Sequence, residues 1–209
     1  KQFQRGVNLN TWLVDNGYIA RPGKPLGDKN LNDMFGGGGQ FWENVDWSRT
    51  KAYSMGLGQI YFNMRGREGQ GIVSPGAESS ALAEELKGKL LTLVDPDDDH
   101  RIVRNVYKRD DVYSGEFLGN APDLQVGFED GYRVSWQTTL GGSPKGIVYP
   151  NTQKWSGDHC GFDYQTTAGV FVSSRPMTGQ NPRVIDIAPT VLKFLGVAIP
   201  GNIDGKPLF

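Results

Sequence analysis

One short segment, residues 155–164, concentrates the residue types that could do chemistry. It reads Trp-Ser-Gly-Asp-His-Cys-Gly-Phe-Asp-Tyr, and it holds one of the two histidines and the only cysteine of the chain. Glycines at positions 157 and 161 bracket these side chains, and an apolar run follows at 168–174. A polar loop next to a buried strand is a common place for a metal ligand, because the scaffold is rigid and the loop can reach the site.

Three interpretations of this segment are open from the residues alone. Cys160 could be a nucleophile with His159 as its base, but adjacent side chains in an extended loop tend to point apart and no orienting residue is identifiable. His159 could instead be a structural residue bonded to the backbone, with Cys160 as a small buried hydrophobe. His159 could also be a metal ligand, with Asp158 or Asp163 as a second ligand or as the carboxylate that fixes its tautomer.

Two arginines follow a predicted strand. Residues 57–64 have the pattern of a buried strand, and they lead into a turn that carries Arg65 and Arg67. Arginine suits phosphate or carboxylate, and ligands often bind beyond the carboxyl ends of strands in α/β sheets. Arg65 and Arg67 are therefore candidate substrate-binding residues, with an exposed, solvated turn as the alternative.

Three other patterns favour ordinary structural roles. The glycines at 36–39 are not followed by the Gly-Lys-Ser/Thr that completes a phosphate-binding loop. The aspartates at 95–99 resemble the opening of a calcium loop, but its sixth position is His100 instead of Gly and its twelfth is Val106 instead of Glu. The aromatic residues at 41–47 could stack on nucleic acid bases, but the net charge is not basic. We therefore interpret them as side chains that fill the edge of the core.

The composition narrows the class of protein. With 209 residues the chain is long enough for one large domain or two small ones. Its formal charge of −1 gives no general attraction for nucleic acid polymers or anionic membranes. No apolar run approaches the ~18 residues that a membrane span needs. We therefore expect neither a nucleic acid partner nor a membrane span, and the single cysteine excludes an internal disulfide.

Apolar patterns typical of helices and of strands alternate along the chain, which predicts the α/β class. The clearest helix is predicted at 78–94, where leucines recur at i, i+4, i+8 and i+11. Shorter helices are predicted at 11–16 and at 187–195, the second beginning after Asp186 and ending at Gly196. Strands are predicted at 57–64, 101–107, 123–129, 132–136 and 168–174.

Six segments carry a family resemblance when they are taken in order: residues 5–18, 46–68, 121–127, 155–159, 184–197 and 200–208. They include Trp-Ser-Gly-Asp-His and Val-Ile-Asp-Ile-Ala-Pro-Thr-Val-Leu-Lys-Phe-Leu-Gly-Val. Together they resemble the carboxyl-terminal half of the alkaline phosphatase superfamily, in particular its type I phosphodiesterase/nucleotide pyrophosphatase-like phosphohydrolases and phosphomutases.

The resemblance implies a fold and a chemistry. The fold would be the carboxyl-terminal part of an alkaline-phosphatase-like mixed-sheet sandwich with helices on both faces, in which residues 1–209 are one portion of a larger hydrolase domain. Residues 20–150 would contain a loop-rich cap insertion. The chemistry would be metal-dependent hydrolysis or transfer of phosphate esters, with small phosphodiester or nucleotide-type substrates favoured and two divalent ions, usually zinc, in the site.

The resemblance assigns few site residues to this chain. His159 matches the late histidine that completes one metal site, and Asp158 beside it is a weaker candidate ligand. The family's nucleophile, early Asp ligand and Asp-His-Gly motif all precede the matching segments, and none is present here. We therefore expect a missing amino-terminal half, and we predict that the 209-residue chain alone is inactive and binds no metal tightly.

A second hypothesis is that the chain is a non-catalytic ligand-binding module or a degenerate relative of the superfamily. Arg65, Arg67 and the aromatic residues at 41–47 would then contact the ligand. The coding sequence upstream distinguishes the two hypotheses, because only the hydrolase needs a Thr or Ser nucleophile and an Asp-His-Gly motif there.

Overall fold

Two compact units make up the chain, Lys1–Thr167 and Ala168–Phe209, here called unit 1 and unit 2. The computed structural model describes residues 3–22, 42, 45–152, 154, 156–157, 163–178 and 181–209. These residues form two sheets and five α-helices, which confirms the predicted α/β class. The cap insertion expected within residues 20–150 stays a prediction.

The elements follow one another in a mixed order. The strands are β1 Phe3–Val7, β2 Ala52–Met55, β3 Gln59–Phe62, β4 Val103–Lys108, β5 Leu124–Phe128, β6 Gly131–Val134 and β7 Val148–Pro150. The α-helices are α1 Leu9–Asp15, α2 Ala77–Leu91, α3 Arg109–Val112, α4 Trp136–Thr139 and α5 Ile187–Phe194, and 3₁₀ turns lie at Leu118–Asn120 and Val184–Asp186. No helix among the described residues combines the length and the apolar character needed to cross a membrane.

The first sheet is mixed and has the strand order β6-β1-β7. Strand β1 lies in the middle, parallel to β6 and antiparallel to β7. Gly6 leaves room for the ring of Tyr149, because a Cβ at position 6 would overlap Cζ of that side chain. Trp136 was predicted to continue the strand that precedes it, but it begins α4, since Ser135 Oγ accepts a hydrogen bond of 2.9 Å from the backbone N–H of Thr138 and caps the helix.

The second sheet is antiparallel and has the order β2-β3-β5-β4. Side chains alternate between its two faces, as the period of two in a strand requires. One face supplies buried apolar residues such as Ile60, Phe62, Leu124 and Val126 to the core. Helix α2 covers this side through the leucine stripe predicted from the sequence, and Leu82, Leu86 and Leu90 are all buried. The other face carries tyrosines and polar groups instead.

Unit 2 contains one α-helix and no strand among its described residues. Helix α5 begins after Asp186 and is followed at Gly196 by a left-handed backbone (φ 68°), which confirms the predicted helix and its end. The Asp186 carboxylate accepts hydrogen bonds from the backbone N–H groups of Arg183 (2.8 Å) and Lys206 (2.9 Å). The bond from Lys206, with that from Arg183, holds the pKa of Asp186 below its ordinary value. Asp186 thereby ties the carboxyl-terminal segment to the start of the helix.

The strand predicted at 168–174 is wrong. These residues have no regular structure, and the side chains of Val170 and Val172 are 92% and 86% exposed. An apolar run becomes a strand only where a neighbouring strand pairs with its backbone and another layer covers its side chains. Neither condition is met at these two valines among the residues that the structure describes.

Candidate functional site

A cleft of about 590 Å³ opens on the polar face of the antiparallel sheet. Strands β4 and β5 supply its floor, helix α3 and the residue after it supply one wall, and the segment after residue 162 supplies another. Its principal lining residues are three tyrosines and three polar residues: Tyr107, Tyr113, Tyr164, Asp111, Gln125 and Thr167. A cleft of this size with mostly aromatic walls is typical of a small-molecule site.

Two of the tyrosine rings face each other across one side of the cleft. The centroids of Tyr107 and Tyr164 are 5.9 Å apart with an interplanar angle of 49°. The hydroxyl of Tyr107 donates a hydrogen bond of 2.9 Å to Oδ2 of Asp163. Burial, together with this carboxylate, raises the pKa of Tyr107 to about 12, so the phenol keeps its proton at neutral pH.

Asp163 is fully buried and is fixed to the sheet by its side chain. Its Oδ2 also accepts a hydrogen bond of 3.0 Å from Nδ2 of Asn105, and its Oδ1 accepts one of 2.9 Å from the backbone N–H of Gln165. The neighbouring strand makes room for the carboxylate with a glycine, because a Cβ at Gly127 would lie 2.3 Å from Oδ2. Three donors therefore satisfy a carboxylate that would otherwise be costly to bury.

These contacts hold both ends of the segment that contains His159. On one side, the backbone N–H of Phe3 in β1 donates a hydrogen bond of 2.8 Å to the carbonyl of Ser156. On the other side, Asp163 is bonded to β4 as described above. The predicted ligands Asp158 and His159, and Cys160 beside them, lie outside the described residues. Their role as metal ligands stays a prediction.

Arg67 belongs to an ion-pair cluster inside unit 1. Its Nη2 lies 2.6 Å from Oδ2 of Asp123 and donates a bond of 2.8 Å to the carbonyl of Phe62, and its Nε lies 2.7 Å from Oε1 of Glu68. Burial by itself would lower the pKa of Arg67, but the hydrogen bonds and charges of Asp123 and Glu68 together raise it above its ordinary value. Arg65 is exposed, and its Nε donates to the carbonyl of Ile72 at 3.1 Å.

Neither arginine is among the described residues that line the cleft. The guanidinium of Arg67 already donates hydrogen bonds to protein acceptors, so a substrate would have to compete with Asp123 for it. The substrate-binding role predicted for Arg65 and Arg67 stays a prediction, and the structure does not bring either of them next to Tyr107 and Tyr164 at the cleft.

The aspartates at 95–99 serve a structural purpose. Asp95 is buried, and its Oδ2 lies 2.6 Å from Nε of Arg5 and accepts a hydrogen bond of 2.9 Å from the hydroxyl of Tyr132. The backbone N–H of Asp97 donates to the other oxygen of Asp95 at 3.1 Å. His100 is exposed and pairs with Asp98 at 2.9 Å, which raises the pKa of His100. His100 is therefore a solvated residue of this turn.

Across the described ranges, no three His, Cys, Asp or Glu side chains come together in a way that could hold a metal ion. Asp163 in particular accepts three hydrogen bonds, so its position suits an anchor or an outer carboxylate better than a direct metal ligand.

Comparison of this chain with protein-family models, with curated proteins and with solved structures found no match. The resemblance to the alkaline phosphatase superfamily therefore rests on the residues quoted for it above.

The cleft does not follow from the sequence patterns. Its lining residues come from positions far apart in the chain, and the predicted strands at 101–107 and 123–129 did not show which of their faces would be covered. A signal was nevertheless present in the predicted strand that ends at Tyr107, where the polar Asn105 and the aromatic Tyr107 occur at i and i+2 and must share one face.

Proposed function

We propose that this chain contributes the carboxyl-terminal part of a metal-dependent hydrolase or phosphotransferase that acts on small phosphate esters, with phosphodiester or nucleotide-type substrates favoured. In this proposal its sheets are part of an alkaline-phosphatase-like sandwich, His159 is a metal ligand, and Asp158 is a weaker candidate. The nucleophile and the remaining ligands would come from residues outside the 209.

The observation that carries the proposal is the anchoring of the segment around His159. A metal ligand on a loop must return to the same position in every molecule, which requires that the loop ends be rigid. Ser156 is bonded to β1 of the first sheet, and Asp163 is bonded through Asn105 and Tyr107 to β4 of the second. The segment therefore starts and ends on fixed backbone, as the hydrolase interpretation of Trp-Ser-Gly-Asp-His requires.

The metal would supply Lewis-acid stabilisation of the phosphoryl oxygens and a lower pKa for the attacking hydroxyl. This chain's own contribution would be the imidazole of His159 and the support beneath it. Asp163 supports the segment from a position four residues beyond His159, where its carboxylate is held by the Tyr107 phenol and the Asn105 amide.

The two histidines of the chain allow a matched test of this proposal. In the full-length protein, we expect His159→Ala to lower the turnover of a chromogenic phosphodiester at least about a hundredfold and to reduce the bound divalent metal, because loss of one ligand weakens the site. His100→Ala is the control, since His100 is exposed and pairs only with Asp98 among the described residues. Unchanged hydrolysis and metal content in His159→Ala would refute the ligand assignment.

The cleft favours the second hypothesis, in which the chain is a ligand-binding module. A cleft of about 590 Å³ lined by three tyrosines is a site in its own right within unit 1. Metal analysis of the purified 209-residue chain tests an expectation that both hypotheses share. We expect no tight binding of two zinc equivalents by the chain alone, and two bound equivalents would show that it carries a complete metal site itself.

A further inference from the structure

The cleft on the polar face of the antiparallel sheet offers a ligand aromatic rings and hydrogen-bond acceptors. We propose that it binds the primary ammonium group of a small alkylamine. This inference depends neither on phosphoester chemistry nor on His159, and it concerns Tyr107, Asp111, Gln125, Tyr164 and their neighbours.

Two of the hydroxyl groups that line the cleft, those of Tyr107 and Thr167, already donate their protons to protein acceptors. Tyr107 donates to the carboxylate of Asp163 at 2.9 Å, and Thr167 donates through Oγ1 to the backbone carbonyl of Asp163 at 2.6 Å. A hydroxyl has one proton and two lone pairs, so both groups face a ligand as acceptors. A ligand that needs hydrogen-bond donors from the protein, such as a carboxylate or a phosphate, would find none on these two groups.

Gln125 contributes a fixed amide to the floor of the cleft. Its Nε2 donates to the carbonyl of Leu57 at 3.2 Å and to that of Val126 at 3.4 Å, which fixes which end of the amide is nitrogen. Its Oε1 is buried and accepts no hydrogen bond from any described residue. Because Oε1 is closed to solvent, the acceptors that a ligand meets are the hydroxyls of Tyr107 and Thr167 and the carboxylate of Asp111.

The charge at the rim is negative. Asp111 lines the cleft and has no ion pair among the described residues. The two cations beside it in sequence are paired elsewhere, since Lys108 lies 2.8 Å from Glu84 and Arg109 lies 3.1 Å from Asp110. An entering cation would therefore meet a carboxylate that forms no ion pair with a described residue, although the charge of Lys108 is near enough to interact with it.

The tyrosine rings complete the case for a cation. The faces of aromatic rings attract ammonium groups, and the attraction is larger when the ammonium is partly desolvated, as inside a cleft. Tyr107 and Tyr164 present rings tilted by 49° on one side, and Tyr113 lines the cleft as well. A neutral polyol would also stack on these rings, but it lacks the positive charge that the ring faces and the Asp111 carboxylate attract.

Titration of the full 209-residue chain, followed by two-dimensional amide NMR at pH 7 and constant ionic strength, tests the proposal. We expect n-butylammonium chloride to produce saturable shifts at residues 107–113 and 164–167. Tetramethylammonium, which has no N–H donors, should bind about threefold to tenfold more weakly than n-butylammonium. This decrease in affinity corresponds to the loss of about one hydrogen bond. Equal shifts with neutral n-butanol, or no saturable shifts with n-butylammonium, would overturn the proposal.

Adjacent aspartates provide the matched variants. Asp111→Asn should weaken n-butylammonium binding about threefold to tenfold, because it removes the rim charge but keeps the size of the side chain. Asp110→Asn should leave binding unchanged, because Asp110 pairs with Arg109 and is not among the described lining residues. Both positions are exposed, so neither variant threatens the fold. If the two variants behave alike, the charge of Asp111 has no specific role and the proposal fails.

Discussion

Asp163 shows how a single carboxylate can organise a loop. It is fully buried, and its two oxygens accept hydrogen bonds from a phenol, an amide and a backbone N–H. Buried charge is tolerated only where such donors replace water. The absent side chain at Gly127 is part of the same arrangement, since any Cβ there would collide with the carboxylate. Two strands and a loop thus depend on one carboxyl side chain.

Replacing Tyr107 with phenylalanine tests this arrangement at the scale of one hydrogen bond. Tyr107→Phe keeps the ring but removes the donor to Asp163, and we expect the free energy of unfolding at pH 7 to fall by about 1 kcal/mol. Urea denaturation measures the change. A variant as stable as the wild type would show that the bond between Tyr107 and Asp163 contributes nothing.

The same pair of proteins should differ in how stability depends on alkaline pH. The pKa of Tyr107 is raised from its ordinary 10.0 to about 12, first by burial and then by Asp163. A raised pKa means that the folded state holds the proton more tightly, so this contribution is complete below pH 10 and is lost as the pH rises toward 12. The stability difference between wild type and Tyr107→Phe should therefore shrink across that window.

At the scale of elements, the sequence patterns predicted three of the described α-helices, α1, α2 and α5, but not the four-residue helices α3 and α4. The leucine stripe predicted a helix at 78–94, and α2 spans Ala77–Leu91. The leucines lie on one side of an otherwise polar helix, so the helix can bury only that side. Residues 101–107 and 123–129 became β4 and β5 for a similar reason. The strand predicted at 168–174 failed, because its composition was suitable but its pairing partner could not be read from local sequence.

The turn between β2 and β3 was not anticipated. Gly56 and Gly58 both have positive φ (65° and 94°), and they reverse the chain so that Ala52–Met55 pairs with Gln59–Phe62. The apolar run at 57–64 predicts one continuous strand that includes Leu57, but Gly56 and Gly58 on either side of this residue form the turn. The cleft was unpredictable for a related reason, because its walls meet only after this sheet is assembled.

Helix α2 carries a glycine that the structure does not need. Gly88 is exposed, its backbone is helical, and a Cβ at this position would meet no atom within 4 Å. Gly88→Ala should raise the free energy of unfolding by roughly 0.5–1 kcal/mol, since alanine loses less backbone entropy when a helix forms. Thermal unfolding followed by circular dichroism measures it. A lower midpoint temperature than that of the wild type would mean that this face of α2 packs against something.

At the scale of the whole molecule, the buried apolar core lies in unit 1. The cluster that the structure describes runs from Val7 to Val134, with partly buried neighbours as far as Val148. Unit 2 is held by local polar contacts instead, such as the hydrogen bonds of Asp186 and one of 3.0 Å from the backbone N–H of Leu208 to Oγ1 of Thr190. Since apolar burial dominates folding free energy, unit 1 has its own source of stability.

Truncation after Thr167 tests this division. Because the core cluster and the lining of the cleft both lie in unit 1, we expect the fragment 1–167 to unfold in one cooperative urea transition and to keep the near-ultraviolet circular dichroism of its buried Trp12 and its tyrosines. It should also bind n-butylammonium as the full chain does. A fragment without a cooperative transition would show that unit 1 needs residues 168–209 to fold, whereas a folded fragment that no longer binds would place part of the ammonium site in unit 2.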